Sequence, residues 1–292
     1  MAKPRFDIYQ TVTDKIIAAM EAGTPPWRKP WTGSTPGIAF PTRSTGELYL
    51  GINVLMLWLE ASDKSYTSAH WFTYRQAKEA GGQVRKGEKS ATVVKYGTIE
   101  REDENGEERR LPYARAYRVF NADQIDGLPS EFYRVAEEPL DLGTECDPKL
   151  DAFFAATGLT IESTDEPRAY YDIAADRIHM PPVETFYSAH GYFQTLAHEA
   201  SHATGHRTRL DRFGKFQSKA DYAREELLAE ISGTMLCATL GIKPEIEQNA
   251  AYVSGWVRAL KDDKREIFRA ASAAQKAADY LQQMTENAAK AA

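Results

Sequence analysis

The 292-residue sequence lacks any apolar run near the ~18 residues that a membrane-spanning helix requires, which argues against an integral membrane protein. It has only two cysteines, Cys146 and Cys237, and neither belongs to a C-x-x-C pair. We therefore expect neither a disulfide framework nor cysteine ligation of zinc, and both thiols should be packing residues. The first residues carry no apolar signal-peptide core, so we expect a cytoplasmic protein with no membrane partner.

Basic residues are not in excess, since the formal net charge is −6, yet the charge is unevenly distributed. Residues 1–128 contain 18 basic and 16 acidic side chains, and six of these acids lie between Glu100 and Glu108. That acidic stretch surrounds Asn105-Gly106 and is typical of a solvated hairpin tip. The rest of the N-terminal half is basic, which indicates a polyanionic partner for that half alone.

Hydrophobic periodicity predicts an α+β fold in two domains, residues 1–128 and 149–292, joined by a linker at 129–148. The N-terminal domain is predicted to be small, with helices at 7–22, 51–60 and 68–81 and strands at 91–98 and 113–121. The C-terminal domain is predicted to be mostly helical, with helices at 149–156, 190–204, 222–240 and, rich in alanine, 248–284. A short β-sheet is expected between Ala169 and Met180.

The segment His198-Glu-Ala-Ser-His-Ala-Thr-Gly-His206 follows an apolar-periodic run and predicts a metal site on a helix. His198 and His202 are four residues apart, so both imidazoles project from one helix face and can bind one zinc ion. Glu199 then lies beside the metal and can act as general base toward an acidified water molecule. The alternative is an exposed helix whose histidines are incidental.

A catalytic zinc site needs a third protein ligand, and the candidates are His206, Asp211 and the glutamates of the next predicted helix. Glu226 and Glu230 share a helix face. We predict Glu226 as the ligand and Glu230 as the partner that orients a ligand histidine, with the two roles open to exchange. Glu225 is predicted to face solvent, and His206 to end the motif helix. Manganese or another divalent metal is the alternative to Zn²⁺.

Four further side chains near the motif have weaker patterns. Tyr170, Tyr171 or Tyr187 could supply a hydroxyl group to a developing oxyanion, but the sequence does not choose among them and core packing is the default for a tyrosine. His179 either lines a substrate groove or is an ordinary surface histidine.

Four of the five tryptophans, Trp27, Trp31, Trp58 and Trp71, lie in the first 71 residues among basic side chains. Proteins bind single-stranded nucleic acid by stacking bases on aromatic rings while cations follow the phosphates. The predicted DNA-binding residues are Trp27, Arg28, Lys29, Trp31, Arg75, Arg85, Lys86 and Lys89. The alternative, which composition alone favours, is that the tryptophans form the core and the charges a solvated surface.

Nine segments in a fixed order carry a family resemblance over nearly the whole chain. They are residues 22–31, 49–53, 71–77, 81–89, 120–129, 176–181, 195–206, 209–212 and 225–230. On these segments the chain resembles the ArdC-type antirestriction proteins of conjugative plasmids, and its N-terminal part is similar to the leading part of TraC-type primases.

The resemblance implies a single-stranded-DNA-binding N-terminal domain joined to a zincin-like metallopeptidase domain. It further implies protection of incoming plasmid DNA from host restriction during conjugation, with a host restriction protein as a candidate target. One alternative is a non-enzymatic protein that coats single-stranded DNA and whose metal site is purely structural. Another is a mimic of DNA, suggested by the 26 acidic against 18 basic side chains of residues 129–292.

Overall fold

The computed structural model describes residues 7–27, 40–102, 108–133, 142–143, 145–215, 218–243 and 250–291. Helices and strands alternate in its first half, and helices dominate the second. The helices are α1 (Ile8–Glu21), α2 (Ile52–Lys64), α3 (Tyr74–Glu79), α4 (Pro148–Ala156), α5 (Ala189–Ala203), α6 (Lys219–Leu240), α7 (Ala250–Asp262) and α8 (Glu266–Ala291). The strands are β1 (Thr42–Arg43), β2 (His70–Phe72), β3 (Gln83–Val84), β4 (Ala91–Glu102), β5 (Glu108–Asn121), β6 (Ile125–Asp126), β7 (Thr160–Ser163), β8 (Tyr170–Asp172) and β9 (Arg177–Met180). The predicted α+β class is confirmed.

The N-terminal half is built around a four-stranded sheet of order β1-β2-β5-β4. Strands β4 and β5 form a long antiparallel hairpin, in which Ala91 is paired with Val119 and Glu102 with Glu108. Both predicted strands are confirmed, and both extend further toward the turn than predicted. The predicted acidic tip around Asn105-Gly106 lies outside the described residues.

The helix predicted at 68–81 is wrong in its first half, because His70–Phe72 form strand β2. Trp71 and Phe72 are buried there and pair with β5 of the sheet. Helix α3 begins only after Thr73, whose side chain accepts from the Gln76 amide while the Gln76 side chain accepts from the Thr73 amide. This capping box sets the helix start, and it follows an aromatic run that suits a buried strand.

In the C-terminal half, a three-stranded sheet of order β7-β9-β8 packs beside α5. The short β-sheet predicted between Ala169 and Met180 corresponds to β8 and β9, and β7 adds a parallel neighbour. The helix predicted at 248–284 is interrupted, because α7 ends at Asp262 and α8 begins at Glu266. The Asp263 carboxylate accepts from the Arg265 amide at 2.8 Å, a local bond that competes with continued helix.

The largest apolar core is shared by both halves of the chain. Val12 and Leu55 from the N-terminal half lie in one cluster with Leu227, Trp256 and Ala274 from α6, α7 and α8. A second cluster lies between α4, α5 and the three-stranded sheet. Among the described helices, none combines the length and apolarity needed to cross a membrane. The proposed linker at 129–148 stays a prediction.

Candidate metal centre

Helix α5 presents the motif histidines on one face. The Ser188 hydroxyl caps the helix by accepting from the Gly191 amide at 3.2 Å. Phe193, Leu196 and Ala200 are buried on the core side and hold the helix in place. His198 and His202, one turn apart, therefore emerge together on the side that faces α6.

Helix α6 crosses α5 at very short range. A Cβ atom placed on Gly233 would lie 3.2 Å from the backbone nitrogen of His198, so only glycine permits this approach without a shift of backbone. At the same crossing, the buried hydroxyls of Ser201 and Ser232 are hydrogen-bonded at 2.9 Å. The small residues at this contact bring the glutamates of α6 within reach of the histidines.

Three side chains converge at the crossing: His198, His202 and Glu226. The Nε2 atoms of the two histidines are 3.2 Å apart. The Glu226 carboxylate is 3.6 Å from His198 Nε2 through Oε2 and 3.5 Å from His202 Nε2 through Oε1. Ligand atoms about 2.0–2.1 Å from a tetrahedral zinc ion are separated by about 3.3–3.4 Å. The arrangement therefore fits a single divalent cation held by two imidazoles and one carboxylate.

The electrostatic environment of these histidines is strongly negative. Burial opposes a charge on His198, but the carboxylates of Glu226, Glu199 and Glu230 outweigh that effect and raise the pKa of His198 to about 9. Burial raises the pKa of Glu226, but its interactions with His198 and Tyr222 and the charge of His202 bring that pKa below its usual value. A site that stabilises a proton between these groups also stabilises a metal cation.

The expectation that Glu225 faces solvent is wrong. Its side chain is only 4% exposed, and its Oε1 lies 3.3 Å from His202 Nδ1. Arg212 donates to both carboxylate oxygens of Glu225, at 2.7 and 3.0 Å. The hydrogen bonds from His202 and Arg212 lower the pKa of Glu225 against the effect of burial. Glu225 is therefore the carboxylate that orients His202.

Glu230, predicted for that orienting role, occupies a different position. It lies one turn beyond Glu226 on α6 and is half-buried. Its negative charge contributes to the raised pKa of His198. The contact with His202 Nδ1 belongs to Glu225, and a role of Glu230 in orienting a ligand histidine stays a prediction.

We expect Glu225→Gln to weaken metal binding by about 10- to 100-fold, the usual cost of losing a partner that orients a ligand histidine. Glutamine removes the negative charge that fixes His202 Nδ1 as a donor, and it leaves Arg212 half-paired. The measurement is a chelator competition titration on folded protein. The matched control is Glu79→Gln, which also removes an arginine-paired carboxylate (Arg75 at 2.7 Å) but on exposed α3. Equal metal affinities for both variants would contradict the role.

The other candidates from the motif region lie apart from the three ligands. The His206 Nδ1 atom is hydrogen-bonded to the Thr208 hydroxyl at 2.8 Å and lies 3.5 Å from the Asp176 carboxylate. Arg209 also binds Asp176, together with the Tyr171 hydroxyl at 3.2 Å, and so ties the β8–β9 turn to the end of α5. These bonds explain His206 and Tyr171 as parts of a structural network. Asp211 is exposed and has a left-handed backbone, with φ 47°.

Tyr170 and Tyr187 have different surroundings. The Tyr170 ring stacks on His179 with 4.5 Å between centroids. Tyr187 is 90% exposed at the rim of a cavity of about 440 Å³ that also includes Gln194 and Thr195 of α5. Of the three tyrosines considered from the sequence, Tyr187 alone has its ring open to solvent beside the motif helix.

Sequence reasoning missed Tyr222. It lies one turn before Glu226 on α6, is 52% exposed, and donates a hydrogen bond from its hydroxyl to the Glu226 carboxylate. The signal was available, because residues four apart on a helix share a face. Tyr222 thus brings a solvent-accessible hydroxyl to the metal ligands.

The predicted DNA-binding residues that the structure describes differ in exposure and pairing. The Trp27 ring is 1% exposed and packs edge-on against Trp256, so the structure places it in the core and does not support base stacking by this ring. Arg75 and Arg85 are exposed but paired, with Glu79 and with Glu88 and Asp126 respectively. Lys86 and Lys89 are exposed. The remaining three, Arg28, Lys29 and Trp31, lie outside the described residues.

Comparison with family profiles gives two matches that lie on either side of the predicted linker. Residues 6–120 match the N-terminal domain of the anti-restriction factor ArdC. Residues 148–273 match a zincin-like metallopeptidase. The second match includes the two histidines and Glu226, and it agrees with the donor set described above.

Relatives of known sequence include both whole-chain and partial matches. The chain is 38% identical over 288 residues to the uncharacterised protein y4eC of Sinorhizobium fredii, covering 94% of this chain and 91% of that one. It is 37% and 35% identical to two DNA primases TraC of Escherichia coli. Those matches cover 96% of this chain but only 27% and 20% of the primases.

Among solved structures, the chain is similar to the antirestriction ArdC protein from the R388 plasmid. Its metal-free crystal structure is 63% identical in sequence, with a TM-score of 0.89. Its Mn(II)-bound crystal structure is 62% identical, with a TM-score of 0.84. Both matches cover 97% of this chain and 99% of the R388 protein.

Proposed function

This chain belongs to the ArdC family of antirestriction proteins, and from that membership we propose that it binds single-stranded DNA entering a cell by conjugation and protects it from host restriction. We further propose that its metal centre hydrolyses a peptide bond in a protein target, for which a host restriction protein is the candidate. The observation that carries the hydrolase proposal is the convergence of His198, His202 and Glu226 directly beside Glu199.

One divalent ion is proposed for the site, with zinc as the sequence prediction and manganese as the alternative. The zincin-like profile and the Mn(II) found in the R388 relative support a divalent metal. His198, His202 and Glu226 would hold it. When bound, such an ion polarises the substrate carbonyl and makes a water molecule more acidic.

The protein groups around the ion account for the proton transfers. Glu199, 8% exposed, takes a proton from the attacking water and passes it to the amide nitrogen as the C–N bond breaks. Tyr222 can turn its hydroxyl hydrogen from Glu226 to the carbonyl oxygen as negative charge develops there. Glu225, held by Arg212, keeps the His202 ring in place throughout.

Several observations support the proposed strand binding. The TraC relatives are DNA primases, and their matches extend over nearly all of this chain. The N-terminal half is basic outside its acidic hairpin stretch. We place this activity in the cytoplasm, where transferred DNA meets restriction enzymes.

The proposal is tested by conjugative transfer of an unmodified plasmid that carries the gene. We expect more transconjugants than with the same plasmid lacking the gene when the recipient restricts foreign DNA. In a recipient without restriction enzymes, the two plasmids should transfer equally. Equal transfer into the restricting recipient would contradict antirestriction by this protein.

A further inference from the structure

A cavity of about 1080 Å³ opens between the N-terminal half and helix α8, away from the metal ligands. The β4–β5 hairpin and the start of α2 form one side, and the first turns of α8 form the other. Neither the metal ligands nor the predicted DNA-binding residues contribute to its lining. We call this cavity the interdomain groove.

The interdomain groove is basic in a chain of net charge −6. Its lining includes Arg43 and Lys95 on one side and Arg265, Arg269 and Lys276 on the other. No aspartate or glutamate occurs among its lining residues in the described part of the chain. Such a one-sided set of charges concentrates positive potential in a concave surface and attracts a polyanion.

The cations of the groove differ in how far they are neutralised. Arg43 is paired with Glu47 at 2.8 Å, and Arg269 with Asp263 at 2.6 Å and with Glu266. Lys95 and Lys276 are exposed, on opposite sides of the groove, and make no ion pair within the described residues. These two lysines are therefore available to phosphate groups.

Exposed rings lie among these cations. Tyr96 is 50% exposed on β4, Tyr117 is 37% exposed on β5, and Leu50 beside them is 54% exposed. Large apolar groups that are exposed together at a concave surface mark a binding site, whereas single exposed apolar residues are ordinary. Aromatic faces next to cations are the combination that binds unpaired bases and their phosphates.

Two polar contacts fix the walls of the groove. The Asn53 side chain accepts from the Val94 amide at 2.7 Å and donates to the Val94 carbonyl at 2.9 Å, which joins α2 to the edge of β4. The Gln275 side chain accepts from the Gly51 amide at 3.1 Å, which joins α8 to α2. The groove is thus formed before a ligand arrives, which reduces the entropic cost of binding.

We propose that the interdomain groove binds single-stranded DNA, with Tyr96 and Tyr117 stacking on bases and Lys95 and Lys276 contacting phosphates. A single strand fits better than a duplex, because paired bases cannot turn their faces to rings inside a cavity. The inference rests on the strand binding proposed above and assigns it a location that combines both halves of the chain. It replaces the residues predicted from the sequence with the lining of one cavity.

The test is fluorescence anisotropy of a labelled oligothymidine strand with the full-length protein at several salt concentrations. We expect the double variant Lys95→Ala/Lys276→Ala to bind more weakly and to reduce the slope of log affinity against log salt by about 1.4, because two phosphate contacts are lost. Tyr96→Ala should weaken binding by about 5- to 150-fold, the range for one base–aromatic stack.

Two control variants accompany this measurement. Lys86→Ala/Lys89→Ala removes two exposed lysines of the surface predicted from the sequence, and Lys149→Ala removes an exposed lysine of α4. Both should bind the strand as the parent does. Unchanged melting temperature and metal content show that a variant is folded. Ultraviolet crosslinking to a 5-bromodeoxyuridine strand should also label peptides containing Tyr96 or Tyr117.

The outcomes separate the groove from the proposed function. If the parent protein binds no strand at all, strand binding itself is wrong. If the parent binds and only Lys86→Ala/Lys89→Ala loses affinity, the groove assignment is overturned. Competition by thymidine monophosphate or inorganic phosphate at the same phosphate concentration as the strand would instead make the groove a site for small anions.

Discussion

Glu199→Gln is expected to retain its metal and its strand binding while losing peptide hydrolysis by about 10²- to 10⁴-fold, the usual contribution of a general base. Glutamine preserves the shape of the side chain but cannot take the proton of the attacking water. The expected cellular result is loss of the transfer advantage in a restricting recipient. With saturating metal, the metal content and melting temperature should match the parent, because Glu199 is not among the three grouped ligands; the lost charge near His198 should lower the metal affinity only modestly.

Two further variants define what this result means. Glu286→Gln makes the same chemical change at an exposed position of α8 and should retain full protection. Tyr222→Phe should keep the metal and reduce hydrolysis if the hydroxyl stabilises the developing oxyanion. Full protection by Glu199→Gln would contradict the hydrolase proposal and favour a protein that only coats DNA, with a structural metal.

Glu226→Ala should nearly abolish metal binding. It removes one of three protein donors, so the loss of affinity should exceed the about 10- to 100-fold expected when an outer partner such as Glu225 is changed. The two imidazoles, whose Nε2 atoms are 3.2 Å apart, would then hold the ion alone. Elemental analysis of the purified variant and a chelator competition titration measure the effect and identify the metal of the parent.

Glu230→Ala is the matched comparison, since Glu230 lies one turn from Glu226 on the same helix face. We expect it to retain the metal with a modest loss of affinity from the missing negative charge near His198. If Glu230→Ala lost the metal and Glu226→Ala kept it, the ligand assignment would be exchanged. A parent protein that binds no divalent metal would contradict the whole site.

The spacing of the histidines was sufficient to predict the local part of the site. A separation of four residues on a helix fixes the relative direction of two side chains, and this holds whatever the helix packs against. The prediction of Glu226 required one more assumption, that the next helix crosses the first near this point. The crossing itself depends on Gly233, Ser201 and Ser232. Such small residues are not part of the apolar periodicity from which helix packing is predicted.

Glu225 shows where local patterns are insufficient. Its neighbour Glu226 faces the metal ligands, so periodicity turns Glu225 by about 100° and suggests solvent. The structure buries it because Arg212, from the segment after α5, lies over that side of α6 and donates to both carboxylate oxygens. The contact that buries Glu225 joins α6 to a segment outside that helix, 13 residues earlier in the chain, so the residue pattern of α6 alone does not show it.

The tryptophans show that local sequence patterns are also insufficient to predict which side chains are exposed. Trp27, Trp58 and Trp71 are between 1% and 3% exposed, so the described members of the aromatic group are core residues. Trp27 packs on Trp256, from the far end of the sequence. The tyrosines of the interdomain groove have no comparable pattern. Tyr96 is paired with Ala114 and Tyr117 with Val93, and only the packed structure brings both rings to the lining of one cavity.

The shared apolar core also bears on how this unit occurs in larger proteins. Leu227, Leu228 and Ile231 of the ligand-bearing helix pack in the same interior as Val12 and Leu55. Cutting the chain between its halves would open that interior to water on both cut surfaces. We therefore expect such a unit to be fused to another polypeptide only with both halves present. The TraC matches agree with this, since they span 96% of this chain within much longer enzymes.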